Sequence, residues 1–365
     1  MKHLRKIFKR ILLLFSIFML IGIGILFGTS YGRELRITIA GSILTSQHPQ
    51  YAKYTFLIQK ELDKLQDRIN HPKWSNSDEH IYKKIAGKRL EELKNQPLEI
   101  DVETIKSNKD SRFLFEGRLV TISNPFNVKL VSHLGTQGAN RGEKISVMAK
   151  RNHALVAVNA SGFADETGRG GGNMATGIVI ENGKAIDTNM DRNTPTIITG
   201  LTKFGQMITG NYSTQQLLDK QVVSAAGFMP QLIVNGEKMI TEGDGGWGSA
   251  PRSIMAQKED GTIMFLVIDG RQTHSIGATL KECQDILYEK GAINAMAMDG
   301  GSSATLYLGG KVINSPSTLS HEDRYLPNAW VVTANQKQKI KMTIDGRKID
   351  TKTSDEFDAN ISTNL

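Results

Sequence analysis

From residue 97 onward the apolar residues of this chain arrive in short runs, each closed by turn-forming residues. The runs at 119–122, 128–131, 155–158, 177–180, 231–234, 262–268 and 295–298 are four to seven residues long. An amphipathic helix needs roughly 10–12 residues, so runs this short read as strands. Asn182-Gly183 and Asn235-Gly236 each follow a run. That dipeptide suits a tight hairpin, whose two central residues take positive φ. Helices are few. One is expected over 144–152. Another is expected over 279–290, where Thr279 and Glu282 form a capping box and Gly291 is the stop. Leu280, Cys283, Ile286 and Leu287 make its buried face. Many short strands with few helices predict an α+β fold with mixed sheets.

A different texture precedes this region. Residues 11–28 form an apolar run broken only by Ser16, and Lys2, Arg5, Lys6, Lys9 and Arg10 stand before it. Eighteen helical residues at about 1.5 Å each span about 27 Å, close to the hydrocarbon thickness of a bilayer. The basic flank should stay in the cytoplasm, which places the bulk of the chain outside it. A cleavable signal peptide is the rival reading, but its apolar stretch is normally shorter, and Gly28-Thr29-Ser30-Tyr31 is only loosely a small-residue cleavage site. A retained signal anchor is therefore expected, giving a single-pass membrane protein. The single cysteine, Cys283, excludes an internal disulfide framework and a cysteine-based zinc cluster.

The net charge of +8 is unevenly spread. Residues 1–30 carry +5, residues 31–96 carry +4, and residues 97–365 carry −1. A nucleic-acid-binding protein concentrates its basic patch on the working domain. Here the basicity belongs to the N-terminal end, so no nucleic-acid partner is expected.

Four segments follow from these shifts. Residues 1–30 are the basic flank and membrane anchor, 31–96 a short helical stalk or linker, 97–335 the main domain and 336–365 a polar tail. The tail contains one short strand at 340–344. In the stalk, Ile58, Leu62, Leu65 and Ile69 recur at helical spacing, and Ile81, Ile85 and Leu93 mark a second helix. Such a stripe either packs internally or pairs two copies, so a homodimer through the stalk is one expectation.

Several strings resemble sites without the context a site needs. Gly243-x-Gly245-x-x-Gly248 matches a dinucleotide fingerprint, but Ala250-Pro251 follows where a helix should begin. Asp187-x-Asn189-x-Asp191 opens like a calcium loop, yet Arg192 and Ile198 occupy the positions that need Gly and Glu. The eight histidines are scattered and include no H-E-x-x-H. No metal-ligand set and no cofactor are expected.

The chemistry is expected where strands end. One run ends in Asp269-Gly-Arg271, and another in Asp299-Gly-Gly-Ser-Ser303. Each would deliver a carboxylate to a rim, with glycine allowing close backbone approach. Gly300, Gly301 and Ser302 could offer a nest of amides to an anion. Arg252 and Arg271 carry forked donors of the kind that grip phosphate. A third strand ends in Asn159, followed by Ser161 and Gly162.

In this order and spacing the motifs resemble the phosphodiester glycosidase family over about residues 115 to 333. The resemblance is carried by the strings at 146–152, 157–163, 177–184 and 251–253. It continues through Asp269-Gly-Arg271, the string at 275–280, Asp299-Gly-Gly-Ser-Ser303 and Arg324-Tyr-Leu-Pro-Asn328. It implies hydrolysis of a sugar-1-phosphodiester at the anomeric carbon. The departing phosphomonoester has a second pKa of about 6, so the site needs cations and amides more than a strong acid. Arg252, Arg271, Gly300, Gly301 and Ser302 are the expected phosphate ligands. Asp299, then Asp269, is the expected carboxylate at the anomeric carbon, as nucleophile or as base for water. Asn159 and Asn328 would meet sugar hydroxyls or an acetamido group, with Gly162 and Arg324 completing the pocket. Glu322, near Arg324, is expected to form an ion pair, with an acid/base role as the alternative. The family commonly carries an Asn-Gly-Gly-Phe-Phe-like run where this chain has Asn159-Ala-Ser-Gly-Phe163, so Ala160 and Ser161 reshape that wall. The anchored layout points to a glycan or sugar-phosphate polymer of the cell envelope, such as an exopolysaccharide. A non-catalytic glycan-binding or exopolysaccharide-assembly protein using the same pocket is the alternative.

Overall fold

The short apolar runs pair into three sheets and one two-stranded ribbon. The computed structural model describes residues 2–78, 92, 94–134, 141–164, 171–186, 188, 191–336 and 338–349. The described chain falls into two units, one of residues 1–71 with 246–248 and one of residues 72–245 with 249–365.

The larger unit is built on a nine-stranded sheet. From one edge it runs Glu237–Lys238, Gln231–Val234, Ala292–Met298, Arg252–Lys258 and Ile263–Ile268, then Glu116–Ile122, Leu98–Lys106, Ile340–Ile344 and Arg347–Ile349. Neighbours are antiparallel except Leu98–Lys106 with Ile340–Ile344, which are parallel. The short strand expected in the polar tail is thus an integral part of this sheet. A five-stranded sheet runs Lys311–Val312, Leu306–Leu308, Val156–Asn159, Asn328–Val332, Val128–Ser132. The other five-stranded sheet runs Lys184–Ile186, Val179–Glu181, Val222–Gly227, Thr196–Thr202, Met207–Tyr212.

The core lies between sheets. Met255, Phe265, Val267, Met296 and Met298 of the nine-stranded sheet share one buried cluster with Leu130, Val156, Val158, Leu306 and Trp330. The second face of the Val156–Asn159 sheet is covered by the helix Ile145–Arg151, through Ile145, Met148 and Ala149. In the nine-stranded sheet every residue of Ile263–Ile268 is buried, which is why this strand reads as continuous rather than alternating apolar residues.

Local rules held where they were strong. Thr279 caps the helix Leu280–Glu289: its Oγ1 accepts from the Glu282 N–H, and the Glu282 carboxylate accepts from the Thr279 N–H. Both Asn-Gly turns have positive φ at both residues, 50° and 73° at 182–183 and 52° and 80° at 235–236. Two helices escaped the reading. Thr214–Asp219 is short but carries the capping box of Ser213 and Gln216. Ser30–Leu44 is rich in Ile, Gly and Ser, so propensity hides it.

In the smaller unit, Arg5–Gly28 is a helix long and apolar enough to cross a membrane, and none of it is buried. The expected stripe at 58–69 forms the helix Gln59–Asn70. Leu62, Leu65 and Ile69 pack with Ala40, Ala52, Leu57 and Trp247, so these three are consumed inside the unit rather than left for a second copy. Gly41 packs so tightly that a Cβ there would stand 2.5 Å from the Gly246 carbonyl oxygen. The Gly243–Gly248 string is a loop followed by the strand Arg252–Lys258, not by a helix. The second stalk helix expected from Ile81, Ile85 and Leu93, the Asp187 and Asn189 positions, and residues 350–365 lie outside the described residues.

Candidate active site

Antiparallel pairing gathers the strand ends. Arg252 opens a strand flanked on both sides by strands running the other way, with Arg252 opposite Ile268 and Ser253 opposite Met298. Arg252, Asp269 and Asp299 therefore meet at one end of the nine-stranded sheet. In the neighbouring sheet Ala329 stands opposite Asn159, and Leu306 opposite Val158. Asn159, Asn328 and the turn before Leu306 therefore share an end as well.

The two ends are stitched together. Asn159 Nδ2 donates to the Asp299 carbonyl (2.6 Å), and the Asp299 N–H donates to the Ala160 carbonyl (3.2 Å). Asn159 Oδ1 accepts from the Thr305 N–H at 3.1 Å. Asn328 Oδ1 accepts from the Ser161 N–H (2.9 Å), and its Nδ2 donates to Ser161 Oγ (3.0 Å). Both asparagines are 1% exposed. Each amide thus bonds the loops beside Asp299.

The glycines of the two Asp-Gly pairs have a common cause. A Cβ on Gly270 would stand 2.6 Å from the Pro251 nitrogen, and one on Gly300 would stand 2.8 Å from the Pro251 oxygen. The backbone of Pro251 threads between the two strand ends, and only glycine leaves room for it. Gly301 donates its N–H to the Pro251 carbonyl at 3.0 Å, so the expected three-amide nest loses that donor. Gly301 has φ +58°, and a Cβ there would lie 3.3 Å from Arg271 Nη1. Gly162 is buried, with the Phe228 ring 3.1 Å from where its Cβ would stand.

Two arginines bracket the turn after Asp299. Arg271 lies against Gly301, remains solvent-exposed, and takes a left-handed φ of 60°. Arg324 donates from Nη1 to Ser302 Oγ (2.7 Å) and stacks over the Phe163 ring at 4.8 Å. The neighbouring Asp323 carboxylate accepts from the Ser146 N–H at the start of the helix Ile145–Arg151. Glu322 pairs with Lys144 (2.8 Å), which lowers the carboxyl's pKa and raises the amine's. Arg252 differs from the other two. It is 6% exposed, donates from Nε to the Ala278 carbonyl (3.0 Å), and burial pushes its pKa down to about 10.

Asp269 is also committed. Its Oδ1 accepts from Asn314 Nδ2 (3.1 Å) and the Ser315 N–H (2.9 Å), and His274 Nε2 stands 3.3 Å from Oδ2. Gln272 extends this clasp by donating to the Ser315 carbonyl and accepting from Ser315 Oγ. The loop that carries Arg271 is thereby fastened to residues 314–315. Sequence reasoning passed over His274 and Asn314. His274, five residues beyond Asp269, was within reach of a local reading, whereas nothing local marks Asn314. Among the described residues, no group of three His, Cys, Asp or Glu is placed to hold a metal ion.

Residues 152–333 match the family model described as phosphodiester glycosidase. The chain is 28% identical over 189 residues to the SPbeta prophage-derived uncharacterized protein YomE of Bacillus subtilis, covering 49% of this chain and 28% of that protein. It is 26% identical over 234 residues to the N-acetylglucosamine-1-phosphodiester alpha-N-acetylglucosaminidase of Bos taurus, covering 59% of this chain and 42% of that enzyme. It thus spans less than half the length of these curated relatives. The zebrafish N-acetylglucosamine-1-phosphodiester alpha-N-acetylglucosaminidase catalytic domain, solved auto-inhibited by its pro-peptide, shares the fold. Its TM-score is 0.56 at 22% identity, over 65% of this chain and 84% of that one. With the motifs, the fold and the family model in agreement, residues 152–333 of this α+β chain belong to the phosphodiester glycosidase family.

Proposed function

We propose that this chain hydrolyses a sugar-1-phosphodiester on its glycosidic side. The observation that carries the proposal is the bracket of Arg271 and Arg324 around Gly301-Ser302, directly after Asp299. Two guanidinium forks suit a phosphodiester anion, and each charge-assisted bond contributes about 1.5–3 kcal/mol. As the C1–O bond breaks, its electron pair passes to the phosphate oxygen, and the arginines hold the charge that gathers there. Asp299 supports the oxocarbenium-like carbon, as nucleophile or as base taking the proton of the attacking water. Asp269 acts through the loop it fastens, and Asn159 and Asn328 through the stitching beneath Asp299. Arg252 supports the floor, and Phe163, Gly162 and Phe228 form a wall for the sugar.

The natural substrate in this reading is an envelope glycan or sugar-phosphate polymer reached from the outer side of a membrane, with residues 11–28 as the anchor. The test is release of reducing sugar by the full chain in detergent, from N-acetylglucosamine and glucose 1-phosphodiesters. Loss of release in Asp299→Asn, with unchanged melting temperature, is the expected result. Turnover that survives Asp299→Asn would overturn the assignment. Glycan binding without turnover in the unsubstituted protein would favour a binding module.

A further inference from the structure

Apart from the helix Lys2–Gly28, the smaller unit exposes large apolar side chains chiefly in one stretch, Tyr51, Tyr54, Phe56 and Ile58, which are 51–68% exposed. The stretch is built to present them. Pro49–Thr55 is a 3-10 helix, in which residues three apart eclipse one another. His48, Tyr51 and Tyr54 accordingly form a row, with ring centroids 5.8 and 6.2 Å apart. Lys53 Nζ lies 5.1 Å from the Tyr54 ring. Phe56 then takes φ +56°, an uncommon conformation for a bulky side chain.

That strained residue reaches the end of the long apolar helix. The Phe56 ring meets the Phe27 ring edge-on at 5.7 Å. Arg36 ties the same corner, donating to the Phe56 carbonyl (2.9 Å) while its guanidinium sits 4.9 Å from the Phe27 ring. The chain bends sharply between the two helices: a Cβ on Gly32 would stand 2.3 Å from the Ile25 oxygen, an approach no continuous helix makes. Residues 48–58 are therefore held level with the last turn of Lys2–Gly28.

We propose that residues 48–58 form an interfacial patch that lies in the headgroup region of the outer leaflet and fixes the depth and orientation of the N-terminal unit. The proposal rests on the reading of residues 11–28 as a membrane span. The argument is continuity and chemistry together. The patch adjoins the end of the span, and it combines Tyr and Phe with Lys53 and Arg36. Aromatic rings with neighbouring cations are what membrane–water boundaries collect.

The test uses the full chain in vesicles of phosphatidylcholine and phosphatidylglycerol. Cys283 is fully buried with its thiol pKa pushed up to about 12, so the native protein gives no competing label. Tyr51→Cys, Tyr54→Cys, Phe15→Cys and Lys64→Cys are each labelled with a nitrobenzoxadiazole maleimide. Quenching is read with lipids nitroxide-labelled near the headgroup or deep in the acyl chain, and with aqueous iodide. The expected result is loss of most emission at positions 51 and 54 with headgroup nitroxide, at 15 with deep nitroxide, and at 64 with iodide alone. Deep quenching at 15 while 51 and 54 behave like 64 would overturn the patch and leave the span standing. Protection of 51 and 54 from both lipid nitroxide and iodide would mean a protein covers them, and would also overturn it. Absence of lipid quenching at 15 would overturn the span and, with it, the patch.

Discussion

Replacing Asp269 separates a carboxylate that reacts from one that holds a loop. In Asp269→Ala the Ser315 N–H and Asn314 Nδ2, bonded at 2.9 and 3.1 Å, lose their acceptor. An abandoned buried donor costs about 1–3 kcal/mol. Both donors are only partly buried, so about 2–4 kcal/mol in total is the working figure. For a unit of this size each kcal/mol lowers the melting temperature by about 2 °C, so a drop of about 4–8 °C is expected. Asp269→Asn keeps an acceptor oxygen for both donors and loses only the charge assistance, about 1 kcal/mol or ~2 °C. Its sugar release should stay within about ten-fold of the unsubstituted protein, whereas Asp299→Asn should lose at least ~100-fold, the scale of a missing general base. Thermal melting by circular dichroism and sugar-release kinetics on the three variants are the assays. An Asp269→Asn protein that melts normally but loses turnover as fully as Asp299→Asn would refute the reasoning and make Asp269 a reacting group.

Arg271→Ala should raise KM for a phosphodiester about 10- to 100-fold, the worth of one charge-assisted contact, without shifting the melting temperature. Gly301→Ala should lower kcat/KM together with stability, because the new methyl would meet Arg271 and the left-handed φ costs a non-glycine residue about 1–2 kcal/mol. Thr279→Ala removes the cap of Leu280–Glu289 and should cost about 1 kcal/mol, read as a fall in melting temperature. Burial works against ionisation of Asp285, but hydrogen bonds from Lys238 and Lys281 outweigh it and hold the carboxyl below its ordinary pKa. The stabilisation this provides is present above the unfolded carboxylate range and lost as pH falls through the folded pKa, so melting temperatures of Asp285→Asn and the unsubstituted protein should converge in acid.

Strand positions were legible because each depends on a few neighbouring residues. Ile263–Ile268 and residues 295–298 are continuous apolar runs, and Asn182-Gly183 and Asn235-Gly236 are turns that almost no other dipeptide makes as cheaply. The helix Leu280–Glu289 was marked by its own cap and stop. Ser30–Leu44 was hidden, because a helix rich in Ile, Gly and Ser is held by packing rather than by propensity.

The roles of the polar residues divide in the same way. The sequence by itself determined that carboxylates end two strands, that glycine follows each, and that arginines stand nearby, since all of these are local strings. Which polar groups face the cleft is a property of pairing. Asn159 and Asn328 look like ligands in the sequence, and register places them at the strand ends, where they bond the loops beside Asp299. Asp269 and Asp299 sit in near-identical strings, but one meets Asn314 and Ser315, more than forty residues away, and the other meets a turn bracketed by Arg271 and Arg324. A hydrogen bond acts over about 3 Å whatever the separation along the chain, so only the folded backbone decides which distant groups each of two similar strand ends meets.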